Sequence, residues 1–303
     1  MIIKAVIEGL VLLRMKINKI EPQGYCKGVI NAINIANELL NDNNTIKPIY
    51  FLGSIIHNKH VINDFEKKGI ITIDDKSKSR LELLDLIDKG TVIFSAHGVS
   101  DKVYEKAKQK GLNIIDATCP MVHIIHKKIK EYLNNGYECI YIGTKNHPEC
   151  EGVLGISDKI HFITNIDDIN NLNINSNKIY VTNQTTLSIF DIKEIFGKLK
   201  NKYKNIYIDD KICNATTIRQ EAMANQEKVD LCIVVGDLKS SNTKKLKEVS
   251  EKYANIKTIL CEDLNSLDKS LLNNINSISI SSGASTPPYL VDEIINYIKN
   301  YKR

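Results

Sequence analysis

Several familiar signatures are missing from this chain of 303 residues. It has no lysine-bearing P-loop and no G-x-G-x-x-G, which argues against a nucleotide held in either of those ways. No two of its 7 cysteines form a C-x-x-C pair, which excludes a zinc ribbon. Its 6 prolines and 15 glycines form no Pro/Gly-rich linker, so composition marks no domain joints. The apolar run in the first fourteen residues, MIIKAVIEGLVLLR, is interrupted by Glu8 and is too short to span a bilayer, so no membrane association is expected. Charge is close to balanced: 41 Lys and Arg against 36 Asp and Glu leave a net +5, too diffuse to point to nucleic acid.

Against those absences stands a repeat. Cys26, Cys119 and Cys213 are 93 and 94 residues apart (119 − 26, 213 − 119), and each sits where an apolar, strand-like run gives way to a helix-like one. Two further landmarks recur in the same order. The first follows at 31, 28 and 28 residues, as His57 in YFLGSIIHNKH, His147 in CIYIGTKNHPECEG and Ser241 in CIVVGDLKSSNTKK. The second follows at 71, 66 and 72 residues, as His97 in VIFSAHGVS, Thr185 in IYVTNQTTLS and Ser285 in SISISSGASTPP. A fixed period of this kind marks one structural unit used three times.

Within each third, short apolar runs (92–95, 139–143, 179–182, 231–236) alternate with stretches of helical spacing (101–110, 121–134, 190–204, 243–253, 289–300). That alternation predicts an α/β fold of three pseudo-threefold-related domains with small, mainly parallel sheets, arranged as a trefoil. Ligands of such sheets bind outside the carboxyl ends of the strands, and every polar landmark falls there. The expected boundaries are an extension over 1–14 ahead of Met15, then domains over 15–118, 119–212 and 213–303.

Three units facing inward bring three thiols to one point. Three sulfurs with no fourth suit a 4Fe–4S cluster with one iron left open as a Lewis acid. A helix start at each cysteine favours thiolate. The plain alternative for any one of them is a buried core thiol, the role expected of Cys139, Cys150, Cys232 and Cys261. A mononuclear site from Cys119, His123 and His126 has the right helical spacing but no counterpart in the other thirds. His60, His123, His126 and His161 are expected at the surface or already satisfied. Around the thiols, His57, Asn58, His97, His147, Gln184, Thr185, Ser240, Ser241, Asn242 and Ser285 form an expected phosphate-binding surface. Glu149, two residues past His147, is placed to carry a proton. The polar loop 74–80 carries no expected chemistry.

The motifs GYCKGV, HN at 57–58, SAHGVS, DATCP, HPECEG, NQTTLS, CNATTIRQ, SSN and SGAST closely resemble the 4-hydroxy-3-methylbut-2-enyl diphosphate reductase family, from about Lys16 to the C-terminus. The resemblance implies one 4Fe–4S cluster per subunit, ligated by Cys26, Cys119 and Cys213, with one open iron. It implies that His57, His97, His147, Ser240, Ser241, Asn242 and Ser285 hold a diphosphate. Thr185 would contact the hydroxymethyl end, and Glu149 would deliver protons. The implied reaction removes an allylic hydroxyl with two electrons and two protons, giving isopentenyl and dimethylallyl diphosphate, within the methylerythritol phosphate route. The mild positive charge suits an acidic donor such as ferredoxin or flavodoxin. Seven cysteines with no sign of pairing suggest a reducing compartment and a cytoplasmic enzyme. Two alternatives stand beside this reading. A quinolinate synthase-like open-iron lyase would call for arginine forks, yet beyond the first fourteen residues only Arg80, Arg219 and Arg303 are present. A non-enzymatic iron–sulfur redox sensor would leave the ring of His, Glu and Thr without a purpose.

Overall fold

A computed structural model describes residues 15–75 and 77–301; the extension read over 1–14 lies outside the described residues. In chain order the elements are β1 (Lys16–Lys19), α1 (Lys27–Asn41), β2 (Ile49–Leu52), α2 (Lys59–Lys67), β3 (Ile70–Ile73), α3 (Arg80–Leu83), β4 (Thr91–Phe94), α4 (Asp101–Gln109) and β5 (Asn113–Asp116). There follow α5 (Pro120–Asn134), β6 (Glu138–Ile142), α6 (Pro148–Leu154), β7 (Ile160–Ile163), β8 (Ile179–Asn183), α7 (Ile189–Lys202) and β9 (Ile206–Ile208). The last stretch holds α8 (Asn214–Ala224), β10 (Leu231–Val235), α9 (Ser241–Val249), β11 (Thr258–Cys261), β12 (Ser277–Ser282) and α10 (Pro288–Lys299).

The strands form three four-stranded sheets, ordered β3-β2-β4-β5, β7-β6-β8-β9 and β11-β10-β12-β1. Every pairing is parallel. The α/β, threefold expectation therefore holds, with one feature of chain order that spacing did not reveal. In the first two sheets the fourth strand is the one that runs into the next cysteine. In the third, that place is taken by β1, whose Lys16–Lys19 pair in register with Ser277–Ile280 of β12. The N-terminal strand thus completes the C-terminal unit and closes the repeat into a ring.

Parallel sheets are covered on both faces, so their inner strands read as continuous apolar runs. β4 (TVIF), β8 (IYVTN) and β10 (LCIVV) are buried at every position. Helices supply the cover: Ile294, Ile295 and Ile298 of α10 pack on Ile278 and Ile280 of β12, and Ile192, Phe196 and Leu199 of α7 pack around Ile140 and Val181. Each such side chain contributes about 1.5–3 kcal/mol when fully buried. The helix expected over 243–253 is α9, ending at Val249 and passing into a π-helical turn over Ser250–Ala254.

All nine cysteine and polar landmarks lie just past the carboxyl ends of strands. In each sheet three strands feed the centre, while the outer strand (β3, β7 or β11) does not. The units are joined in pairs around the axis. Arg80 Nη1 meets Glu151 Oε2 at 2.8 Å between the first and second thirds. Thr186 Oγ1 donates to Ser241 Oγ at 3.2 Å between the second and third. Ser285 Oγ donates to the His57 carbonyl at 2.8 Å between the third and first. Among the described residues no helix is long and apolar enough to cross a membrane.

Candidate active site

Cys26, Cys119 and Cys213 are the N-caps of α1, α5 and α8, and none of their side chains is spent on a capping bond. All three line one central cavity of about 110 Å³. Gly28 lets them approach: a Cβ there would stand 2.7 Å from Cys119 Sγ and 3.9 Å from Cys26 Sγ. The cysteines are free. The expected thiolate-favouring helix start is offset at Cys119: burial, then the charges of Cys26 and Cys213, push its thiol above the ordinary range despite an N–H from Met121. A metal centre that displaces the Cys119 proton would offset that cost. Three unpaired thiols with a glycine cradle, and no fourth cysteine among the described residues lining the cavity, fit an iron–sulfur cluster. Arg219, buried in α8, donates through Nη2 to the Gly24 carbonyl at 2.9 Å, fixing the loop before Cys26 and placing a cation near the sulfurs.

The other four cysteines are buried, as expected of packing residues. The mononuclear alternative does not form: His123 turns to Asp116 at 3.0 Å, half exposed. His60 and His161 are satisfied by Asp263 at 3.0 Å and Glu138 at 2.6 Å. His126 departs from expectation: it is buried, its Nε2 has no partner, and burial lowers its pKa to about 4. It fills the space left by Gly98, next to His97 in sequence, and Gly152, three residues past Glu149.

Above the thiols the polar loops converge. The rings of His57, His97 and His147 have centroids 4.4, 5.6 and 5.6 Å apart. Burial lowers the pKa of each, that of His147 to about 3, so all three are neutral near pH 7. Their ligand atoms lie within 4.8 Å of one another, a spacing that a metal ion could also use. The hydrogen bonding favours an anion. His147 Nδ1 accepts the Glu149 N–H at 3.2 Å, which puts the ring proton on Nε2 and makes that atom a donor. Ser240 caps α9, and Ser241 and Asn242 open its first turn. His57 Nε2 and both amide atoms of Asn242 are buried without a partner. Each such orphan costs about 1–3 kcal/mol unless a ligand meets it. Among the described residues no Lys or Arg lines the cavity.

Glu149 forms the opposite corner. Its carboxyl is buried and accepts from Thr185 N at 2.9 Å, Thr185 Oγ1 at 2.9 Å and Tyr141 OH at 3.3 Å. Desolvation outweighs those donors and raises its pKa to about 7. Gln184 ties this corner to the anion wall, accepting from Thr144 N at 2.8 Å and donating to Thr186 Oγ1 at 2.7 Å. Every site residue expected from sequence therefore lines one cavity, save two: Gln184 stands behind Ser241, and Asn58 caps α2, its Oδ1 accepting the Val61 N–H at 3.1 Å. Tyr141, Thr186, Gly28 and Arg80 were missed. The loop 74–80, to which no chemistry was assigned, ends in Arg80, which packs over Gly53 and pairs with Glu151. A larger groove of about 410 Å³ beside Tyr25 and Tyr289 brings no such set together.

Three thiols beneath a pocket of neutral donors and one protonated carboxyl define a redox enzyme on a three-unit α/β frame, built for an anionic substrate. Residues 17–299 match the LytB protein family, and the chain belongs to it. A relative from Geobacillus sp. (strain WCH70), named 4-hydroxy-3-methylbut-2-enyl diphosphate reductase, is 46% identical over 95% of this chain and 91% of its own. One of the same name from Bacillus cytotoxicus is 47% identical over the same shares. Among solved structures, the E-1-hydroxy-2-methyl-but-2-enyl-4-diphosphate reductase of Plasmodium falciparum superposes with a TM-score of 0.87 at 37% identity, covering 95% of this chain and 89% of that one. The structure of another such reductase, described as the terminal enzyme of the non-mevalonate pathway, matches with a TM-score of 0.65 at 29% identity, over 95% and 100%. These relatives support the reductase reading over the lyase and sensor alternatives.

Proposed function

We propose that this chain is a cytoplasmic reductase that removes the allylic hydroxyl of 4-hydroxy-3-methylbut-2-enyl diphosphate to give isopentenyl and dimethylallyl diphosphate. The observation that carries the reading is one cavity with three free thiols, unpartnered buried donors and a carboxyl raised to about 7. Cys26, Cys119 and Cys213 would hold one 4Fe–4S cluster, which when bound supplies the two electrons one at a time and an iron position open to substrate.

The chain's own residues do the rest. His57, His97 and His147, the Ser240 and Ser241 hydroxyls, the Asn242 amide and the Ser285 hydroxyl, which would turn from the His57 carbonyl, donate to the diphosphate; among them His57 Nε2 and the Asn242 amide are otherwise without a partner. That contact anchors the charged end of the substrate and directs its hydroxymethyl end towards Thr185 and Glu149. Below about pH 7 Glu149 carries a proton, and Thr185 Oγ1, 2.9 Å from Oε2, relays it to the departing hydroxyl. The C–O bond breaks, the oxygen leaves as water, and a second proton closes the carbon skeleton at either end of the allyl unit. Two electrons enter from an acidic ferredoxin or flavodoxin-type donor, so atoms and charge balance.

The test is anaerobic turnover of the reconstituted protein with a reduced viologen. Both isoprenyl diphosphates should appear, with one water per substrate; unchanged substrate in iron-loaded protein would overturn the reading. Cys119→Ser should lose the cluster's native electron paramagnetic signal, and an unaltered signal would assign the iron to other ligands.

A further inference from the structure

A diphosphate carries two to three negative charges, yet among the described residues no lysine or arginine lines the cavity that would receive it, and its three histidines are neutral. One guanidinium, that of Arg80, acts on all three imidazoles from outside the cavity lining. Arg80 opens α3, and only 14% of its side chain is exposed. It is held on two sides. Gly53, at φ +76°, has no Cβ; one placed there would stand 2.7 Å from Arg80 Nη2 and 3.2 Å from Cζ. On the other side Glu151 takes Nη1 on Oε2 at 2.8 Å and the Arg80 backbone N–H on Oε1 at 2.6 Å. Gly53 opens the loop to His57, and Glu151 is two residues past Glu149 on the helix that His147 caps. Nε of Arg80 is buried and unpartnered.

We propose that Arg80 is the positioning cation of the anion pocket: it clamps the His57 loop to the helix of His147 and Glu149, and lends positive potential to a bound diphosphate without touching it. This rests on the reading of the cavity as a diphosphate site. The charge is felt there, since Arg80 is among the groups that lower the pKa of His57, His97 and His147 alike, after burial in each case. Keeping the cation behind neutral donors leaves the pocket free of a flexible ammonium that would bind other anions. The Glu151 carboxylate, which accepts from Nη1 on one oxygen and from the Arg80 backbone N–H on the other, fixes its place.

The test is anaerobic calorimetry of inorganic pyrophosphate binding to iron-loaded wild type, Arg80→Lys and Arg80→Met, with kcat and KM measured on the same samples. Wild type should bind. Arg80→Met should weaken pyrophosphate about tenfold, and Arg80→Lys, which keeps the charge, less than threefold. KM should rise with the dissociation constant while kcat changes less. Arg80→Met binding as tightly as wild type would overturn the inference, as would both variants losing kcat with pyrophosphate affinity intact. If Arg80→Met does not accumulate as folded protein, Arg80→Lys decides: a tenfold loss overturns the role of charge, and near-wild-type affinity upholds it. Wild type that ignores pyrophosphate would instead sink the diphosphate reading itself.

Discussion

The imidazole wall and the Glu149 corner border one cavity, lose the same water, and end in opposite chemical states. At His57, His97 and His147 burial disfavours the charged, protonated form, so the rings stay neutral. At Glu149 burial disfavours the charged, deprotonated form, so the carboxyl keeps its proton to about pH 7. One wall becomes a set of neutral donors for an anion, the other a proton store, and a single physical cause divides the labour. Hydrogen bonds set the balance at each place. Thr185 and Tyr141 pull the Glu149 pKa down but do not prevail, and the Glu149 N–H fixes the tautomer of His147.

The most severe way to break this contrast is to take away the stored proton. Glu149→Gln keeps the shape and the bond from Thr185 N, so pyrophosphate should bind normally while kcat falls about 10²–10⁴-fold; anaerobic turnover beside calorimetry separates the two. His147→Phe attacks the other wall. It should weaken diphosphate binding about 10–100-fold, the worth of one hydrogen bond to a charged group, with a smaller loss in kcat. Thr185→Val sharpens the contrast. Removing a donor that lowers the Glu149 pKa should shift the basic limb of kcat/KM to higher pH, with about a tenfold loss in rate from the lost relay. An unshifted limb would detach Thr185 from the carboxyl.

The smallest effect is on stability, and the two walls give it opposite signs. Glu149 is raised on folding from 4.5 to about 7, so its contribution is full below about 4.5 and lost as pH rises through 7. Between pH 5 and 8, Glu149→Gln should gain on wild type by up to about 3 kcal/mol in denaturant melts. His147 is lowered from 6.5 to about 3, so its contribution is present above 6.5 and lost as pH falls towards 3. His147→Phe should therefore flatten the acid side of the stability curve.

What the sequence made legible was whatever repeats locally. Cys26, Cys119 and Cys213 could be read because strand, thiol and helix succeed one another along the chain, and the polar loops because each ends a short apolar run. What escaped was set by contact across the fold. β1, with the sequence KINK, carries no sign that its partner is β12 at the far end of the chain. Tyr141 looked like one more apolar residue of β6, although its hydroxyl reaches Glu149. Arg80 sat in a polar loop whose importance depends on Gly53 and Glu151, 27 and 71 residues away. His126, expected at the surface or already satisfied, instead fills the gap left by two glycines.

The protonation of Glu149 is the most direct test. Infrared difference spectra between wild type and Glu149→Gln should show a protonated-carboxyl C=O stretch at pH 6 that fades with a midpoint near 7. A carboxylate band already present at pH 6, with no C=O stretch assignable to this residue, would contradict the account.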